Sequence, residues 1–233
     1  MKSELPCVLT INGGSSSIRF AVYEAGVAPR RRLDGKIDRI GGKGANLTVR
    51  DSAGRPQVLR LSAADHSAAV DFLLDWLEAQ PVLASVKAAG HRVVHGMRHS
   101  EPERVTPKLL AELRRITPYD PDHLPREIAL IEAVLRRHPK LPQVACFDTA
   151  FHRSMARVAK LLPVPRRFAA KGVERYGFHG LSFTYLMEEL RRLNPAAAKG
   201  AVILAHLLSS ILLTPPRCQP SRVDHTQPSC SKL

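Results

Sequence analysis

The stretch LTINGGSSSIRFAVY, residues 9–23, places an amide, two glycines and three hydroxyls between two apolar runs. The alternation on either side predicts strands over residues 7–12 and 18–23, joined by a tight Gly/Ser turn. Glycines let the backbone approach a ligand closely, and exposed N–H groups and hydroxyls in such a turn can bind phosphate oxygens. A polar hairpin turn without a ligand explains the same residues equally well.

The rest of the chain predicts a sheet followed by alternating helices and strands. Further strands are expected at residues 32–40, 46–50, 57–61, 88–95, 144–147 and 201–206. Helices are expected after the N-cap candidate Ser62, after Thr106-Pro107, and over residues 124–137 and 182–193. This order indicates the α/β class, with a mixed sheet covered by helices.

Composition bounds the class of protein. The chain has 233 residues and 44% hydrophobic content, which suits one large or two small folded domains. Its apolar runs fall far short of the ~20 residues of a membrane helix, and no signal peptide is recognisable. Cys7 and Cys146 lie in apolar runs and are interpreted as buried thiols in a reducing compartment. We therefore expect a cytoplasmic protein.

The net charge of +14 suggests two kinds of anionic partner. Nucleic-acid binding is the obvious interpretation. The arginines are scattered, however, and no aromatic residues interleave with them. A solvated basic surface that attracts anionic substrates is favoured, and no specific nucleic-acid partner or membrane is expected.

Two residues of the hairpin have side chains suited to a nucleotide. Asn12 can offer a neutral oxygen to a hydrated Mg²⁺. Arg19, on the return strand, can reach back as a phosphate-binding cation.

The second motif is GHRVVHG, residues 90–96, which places Arg92 inside an apolar strand. A buried arginine is costly unless it is paired. Arg92 is therefore either half of an internal ion pair or a fork for a substrate carboxylate.

The third motif is ACFDTAFH, residues 145–152, in which Asp148 ends a short apolar strand. Ligands of open α/β sheets gather outside the carboxyl ends of strands. Asp148 can cap the next helix, or it can orient a nucleophile or handle a proton.

The fourth motif is RYGFHGLS, residues 175–182, with His179 just before a helix. A histidine there can stabilise negative charge that develops on a transferred group. The alternative is a loop histidine whose hydrogen bonds are satisfied locally.

In this order, the four motifs make the chain resemble the N-terminal part of the acetokinase family. The resemblance covers Val8 to about Leu207, and Asn12-Gly13-Gly14-Ser15-Ser16-Ser17 is the form of the turn typical of that family. It implies a ribonuclease-H-like mixed sheet with flanking helices, of the acetate and sugar kinase, Hsp70 and actin type. The implied domains are an N-terminal acetokinase domain over 1–150, the start of a second, nucleotide-binding domain over 151–207, and a non-family tail over 208–233, expected to be disordered.

The resemblance also implies roles for individual residues. Asp148 and His179 would be catalytic, and Arg92 and His123 would bind the acyl substrate. The ATP phosphates would contact Arg19, Ser15, Ser17 and His206, and the metal would be associated with Asn12. Arg19 stands where the family usually has lysine, and Leu124 replaces the usual asparagine after His123.

The implied reaction is reversible transfer of the γ-phosphoryl group of ATP to acetate, giving acetyl phosphate and ADP. Mg²⁺ or Mn²⁺ would be the metal and ATP the co-substrate, and a homodimer is the family's assembly. Propionate or butyrate kinase is the nearest alternative activity, and a non-catalytic remnant of the family is another.

The family pattern stops after His206-Leu207, where Leu208-Ser209-Ser210 replaces the expected Gly-Asn-Gly. A frame slip or a premature end of the gene near the codon for Leu208 is the hypothesis that explains this. Because nearly all of the second domain would then be missing, we expect little or no kinase activity from this chain alone.

Overall fold

The computed structural model describes residues 5–26, 29–51, 54–61, 63 and 65–204. These divide into two compact units. The first comprises the described residues up to Val93 together with Pro102–Cys146, and the second comprises Val94–Glu101 together with those from Phe147 onward. The domain boundaries expected from the sequence at residues 150 and 207 stay predictions.

A single mixed sheet contains eight strands in the described part of the chain. Their bounds are β1 (Cys7–Gly13), β2 (Ile18–Glu24), β3 (Arg30–Asp38), β4 (Asn46–Arg50), β5 (Pro56–Arg60), β6 (Val86–Val93), β7 (Glu103–Arg104) and β8 (Gln143–Phe147). The spatial order is β5-β4-β3-β2-β1-β6-β8-β7. Strands β1 to β5 pair antiparallel in succession, β6 is parallel to β1, and β7 is antiparallel to β8. The predicted mixed sheet is confirmed.

Three α-helices accompany the sheet in the described part of the first unit. They are α1 (His66–Glu78), α2 (Pro107–Ile116) and α3 (Leu124–Arg137). Helix α2 begins at Pro107 as expected, and Thr106 caps it, since its side chain accepts from Leu109 N. Helix α1 is capped by Asp65, which accepts from Ala68 N over 2.9 Å. The predicted cap Ser62 lies outside the described residues.

The apolar faces of β1–β4 pack on α1 and α3 to form the core of the first unit. Leu9 and Ile11 alternate inward from β1, as the period-2 pattern predicts. The Trp76 ring of α1 lies 5.8 Å from the ring of Phe20. Cys7 is buried there as expected, whereas Cys146 is only partly buried.

The second unit is helical in its described part. It contains α4 (Arg157–Lys160), α5 (Arg166–Ala170), α6 (Gly180–Leu193) and α7 (Pro195–Ala198). Helix α6 is the helix expected over 182–193 and begins two residues earlier. The strand expected over 201–206 is reduced to a one-residue bridge at Val202 within its described residues, and Ala205 and His206 lie outside them. No helix in the described ranges is long and apolar enough to cross a membrane.

Candidate active site

The turn between β1 and β2 presents a serine to solvent. Gly14 N donates to Ser17 O over 2.7 Å, and a Cβ on Gly14 would lie only 3.2 Å from that oxygen. Gly13 packs against α3 instead, and a Cβ on Gly13 would lie only 3.2 Å from Leu130 Cδ2. The glycines thus serve the turn and the helix contact, while Ser15 is exposed and Ser17 half-buried.

Three polar residues lie side by side on one face of β2, β1 and β6 beside this turn. Asn12 lies opposite Arg19 in the antiparallel β1–β2 pair, so their side chains share one face. Arg92 Nη1 donates to Asn12 Oδ1 over 3.1 Å. Because β1 and β6 are parallel, this row lies near their carboxyl ends, where ligands of open sheets bind.

The N-terminus of α3 is tied to the same turn. His123 immediately precedes the helix, and its Nδ1 lies 2.7 Å from Oδ1 of the largely buried Asp120. One helical turn later, Arg126 Nη1 donates to the carbonyl of Ser15 over 3.0 Å. The predicted substrate residue His123 is therefore on a helix end that contacts the predicted phosphate turn.

Two residues at this turn had no signal in the sequence. Arg126 lies within an ordinary amphipathic helix pattern, and His66 is the first residue of α1. Burial lowers the pKa of His66, repulsion from Arg126 lowers it further, and a hydrogen bond with the Gly14 backbone opposes both. Only the tertiary structure shows that both side chains support the turn.

Asp148 and His179 are brought together in the second unit. Asp148 follows β8 and is 1% exposed. The N–H of Gly180, the residue after His179, donates to the Asp148 carbonyl over 3.0 Å. A Cβ on Gly180 would lie 2.1 Å from that oxygen, so glycine is required there. Thr149 rather than Asp148 occupies the N-cap position of the following 3₁₀ turn.

His179 has a left-handed backbone, with φ +61° and ψ +20°. For a residue other than glycine this conformation costs about 1–2 kcal/mol, so neighbouring contacts must compensate. The buried His152 provides one, since its Nε2 lies 2.9 Å from the carbonyl of Phe178. Leaving that carbonyl without a partner would cost about 1–3 kcal/mol, which is as large as the strain.

A second histidine packs on the other part of this loop. The buried His95 ring lies 4.6 Å from the ring of Tyr176 and 5.6 Å from that of Phe178. The segment that ends in His179 is thus held by aromatic packing as well as by hydrogen bonds.

The structure therefore gathers the predicted site residues in two groups, one in each unit. The first group comprises Asn12, Ser15, Ser17, Arg19, Arg92 and His123. The second comprises Asp148 and His179. The remaining predicted phosphate ligand, His206, lies outside the described residues.

The described residues do not by themselves form a metal site. Protein-bound Mg²⁺ usually takes carboxylate and phosphate oxygens together with water. Asn12 supplies one neutral oxygen that already accepts from Arg92. Among the described residues, no three histidine, cysteine, aspartate or glutamate side chains form a cluster that could hold a metal ion. The expected role of Asn12 as a metal ligand stays a prediction.

Comparison with known proteins gives a consistent result. The model of the acetokinase family matches residues 7–211. The acetate kinase of Methylocella silvestris is 41% identical over 214 residues, covering 86% of this chain and 53% of that protein. Among solved structures, the Porphyromonas gingivalis acetate kinase superposes with a TM-score of 0.76 at 30% identity, covering 87% of this chain and 52% of the other.

A propionate kinase structure from Francisella tularensis is similar as well, with a TM-score of 0.73 at 28% identity. The match covers 81% of this chain and 49% of the propionate kinase chain. The chain spans about half the length of the relatives it matches. The fold inferred from the four motifs is confirmed by these structures.

Proposed function

This chain belongs to the acetokinase family, and from that premise we propose that it is part of an acetate kinase. The reaction would transfer the γ-phosphoryl group of ATP to acetate, giving acetyl phosphate and ADP reversibly. A carboxylate oxygen would form the new bond to phosphorus as the bond to the ADP oxygen breaks. Acetate is already ionised at pH 7, so no general base is needed.

The observation that carries this proposal is the row of Arg19, Asn12 and Arg92. Two guanidinium groups flank one neutral amide beside an exposed serine turn. Such an arrangement attracts both an acyl carboxylate and phosphate oxygens. Arg92 would hold the carboxylate, with His123 near it, and Arg19 would face the phosphates of ATP.

The other site residues would serve alignment and charge stabilisation. Phosphoryl transfer depends mainly on positioning and on offsetting charge. Ser15, Ser17 and His206 would bind phosphate oxygens. His179 would stabilise the transferring group, and Asp148 would orient the reacting groups without abstracting a proton.

Metal and nucleotide would arrive together in this scheme. ATP would bind as its Mg²⁺ or Mn²⁺ complex, and Asn12 could contribute a single oxygen to it. A cytoplasmic location fits a reaction that consumes ATP, and a homodimer would match the family's assembly. Light scattering on the purified chain tests the assembly, and cell fractionation tests the location.

Propionate kinase is the second candidate, favoured by the solved propionate kinase of similar structure. Butyrate kinase activity and a non-catalytic remnant of the family are further hypotheses. Acetate, propionate and butyrate tested in parallel separate the acyl preferences.

Carboxylate binding to the 233-residue chain tests the proposal at Arg92. Arg92→Gln should weaken acetate binding about tenfold or more, because a hydrogen bond to a charged group is worth about 1.5–3 kcal/mol. Calorimetric titration measures this, with Arg31→Gln on β3 as the control that leaves acetate binding unchanged. Equal losses in both variants, or no acetate binding by the parent chain, would contradict the assignment.

Turnover is a separate expectation. The chain spans about half the length of its relatives, so we expect little or no acyl phosphate from it alone. Hydroxamate detection of acyl phosphate measures this, and turnover close to that of full-length relatives would overturn the expectation.

A further inference from the structure

We propose that His152 is a positioning residue that holds His179 in its left-handed conformation by donating a hydrogen bond to the carbonyl of Phe178. The inference rests on the proposed function in one respect, namely that His179 must face a transferring phosphoryl group. His152 is not assigned any contact with substrate.

The contact shows which nitrogen of the His152 ring must carry a proton. A carbonyl oxygen only accepts, so Nε2, 2.9 Å from Phe178 O, must carry the proton. The opposite nitrogen, Nδ1, is buried and has no hydrogen-bond partner among the described residues. Burial also lowers the pKa of His152. The ring is therefore expected to be neutral at pH 7, with its proton on Nε2.

Both peptide planes that flank His179 are anchored. The preceding plane is held through Phe178 O by His152, and the following plane is held through Gly180 N by the Asp148 carbonyl. Peptide planes are rigid, so holding one atom of each plane restricts φ and ψ of the residue between them. This explains how a histidine keeps a conformation that usually needs glycine or asparagine.

The His152 ring has little freedom to turn away from this bond. A Cβ on Gly177 would lie 2.3 Å from His152 Cγ, so the Gly177 backbone packs directly on the ring. The rings of Phe151 and Phe183 meet it edge to face, with centroids 5.3 and 5.9 Å away. The donor is held in place before any ligand binds.

NMR of the full 233-residue chain, labelled with ¹⁵N at histidine, tests the tautomer directly. We expect His152 to give the Nε2–H tautomer and to remain neutral at pH 7. An Nδ1–H tautomer or a charged ring at that pH would overturn the proposal without any variant being made.

Variants test the effect on His179. His152→Gln keeps an N–H donor at similar reach and should retain the left-handed Cα shift and coupling of His179. His152→Leu removes the donor and should abolish that signature. Met187→Ala removes a buried side chain from α6 without touching the Phe178 carbonyl, and should destabilise the unit while leaving the signature intact. Retention of the signature in His152→Leu, or its loss in Met187→Ala, would contradict the proposal.

If the His152→Leu chain is too unstable for NMR, a double-mutant cycle with His179→Gly measures the same coupling from free energies of unfolding. Glycine adopts the left-handed conformation without strain, so His152→Leu should be less damaging in a chain that also carries His179→Gly. Strict additivity in chemical denaturation would contradict the coupling. These readouts need no kinase activity: a confirmed tautomer and signature with no substrate binding would leave the positioning intact and refute the proposed function.

Discussion

At the scale of single residues, His91 shows how burial controls charge. His91 is 2% exposed in β6, and burial lowers its pKa to about 4. With the Gln143 amide oriented to satisfy both of its ends, Gln143 Nε2 donates to His91 Nε2 over 2.7 Å and its oxygen accepts from Leu135 N. Protonating His91 would set a charge against this donor inside the core.

This predicts a loss of stability in mild acid. Between the unfolded pKa of about 6.5 and the folded value of about 4, the unfolded chain binds more protons at His91. The contribution of His91 to the free energy of unfolding is therefore complete above about pH 6.5. Below that pH, the free energy of unfolding falls by up to about 1.4 kcal/mol per pH unit. Urea denaturation followed by fluorescence of Trp76, the chain's single tryptophan, measures the effect.

His91→Gln is the matched variant, because it removes the titrating group and keeps an amide at the site. Its stability should vary less with pH than that of the parent chain between pH 6.5 and 4. Parallel pH profiles for the two chains would show that His91 does not control this loss.

At the scale of elements, α3 connects the core to the predicted phosphate turn. Its buried side packs in the first unit through Leu130 and Val134, while Arg126 in its first turns donates to Ser15 O. The helix is thus placed by apolar contacts, and a polar contact at its end fixes the turn.

Removing this polar contact should alter the turn without unfolding the helix. Arg126→Gln should change stability by less than about 1 kcal/mol, because the hydrogen bond is exposed. It should shift the backbone amide NMR signals of Ser15 and Ser17. Arg136→Gln on the exposed side of the same helix is the control. Equal shifts in both variants would indicate a general charge effect.

At the scale of the whole molecule, residues 153–175 are one of the strongly basic stretches of a chain whose net charge is +14. The basic residues there are Arg153, Arg157, Lys160, Arg166, Arg167, Lys171 and Arg175. Glu174 is the only acidic residue in that segment. Arg153 is ion-paired with Glu101, but most of the segment is exposed. Such a surface attracts anions, including nucleic acid, without recognising a base sequence.

We predict weak binding of duplex DNA that depends on salt and ignores base sequence. Affinity should fall more than about tenfold between 50 and 200 mM salt, as counterion release requires. Fluorescence anisotropy with two unrelated duplexes measures it. Replacing Arg166 and Arg167 by glutamine should weaken binding more than the same change at Arg191 and Arg192. A clear preference for one duplex would favour a specific nucleic-acid function.

Local patterns in the sequence were sufficient for most element positions. The bounds of β4 and α3 and the start of α2 at Pro107 agree with prediction, because alternation, helical periodicity and helix-start signals act between residues near in the chain. The strand expected over 201–206 is not borne out in its described residues. An apolar run there satisfied the pattern, but a strand also needs pairing over several successive residues, and only Val202 pairs in the described part.

The sequence by itself therefore predicted most of the elements, the fold class and a set of candidate residues. Only the tertiary structure decided which of them meet. Asn12 and Arg92 are 80 positions apart and touch because β1 and β6 run parallel in register. His152 and Phe178 are 26 positions apart and form a hydrogen bond. The close approach is possible because Gly177 and Gly180 have no side chains that would collide with His152 and Asp148. Such contacts depend on strand register and close packing between distant segments, and no local pattern encodes either.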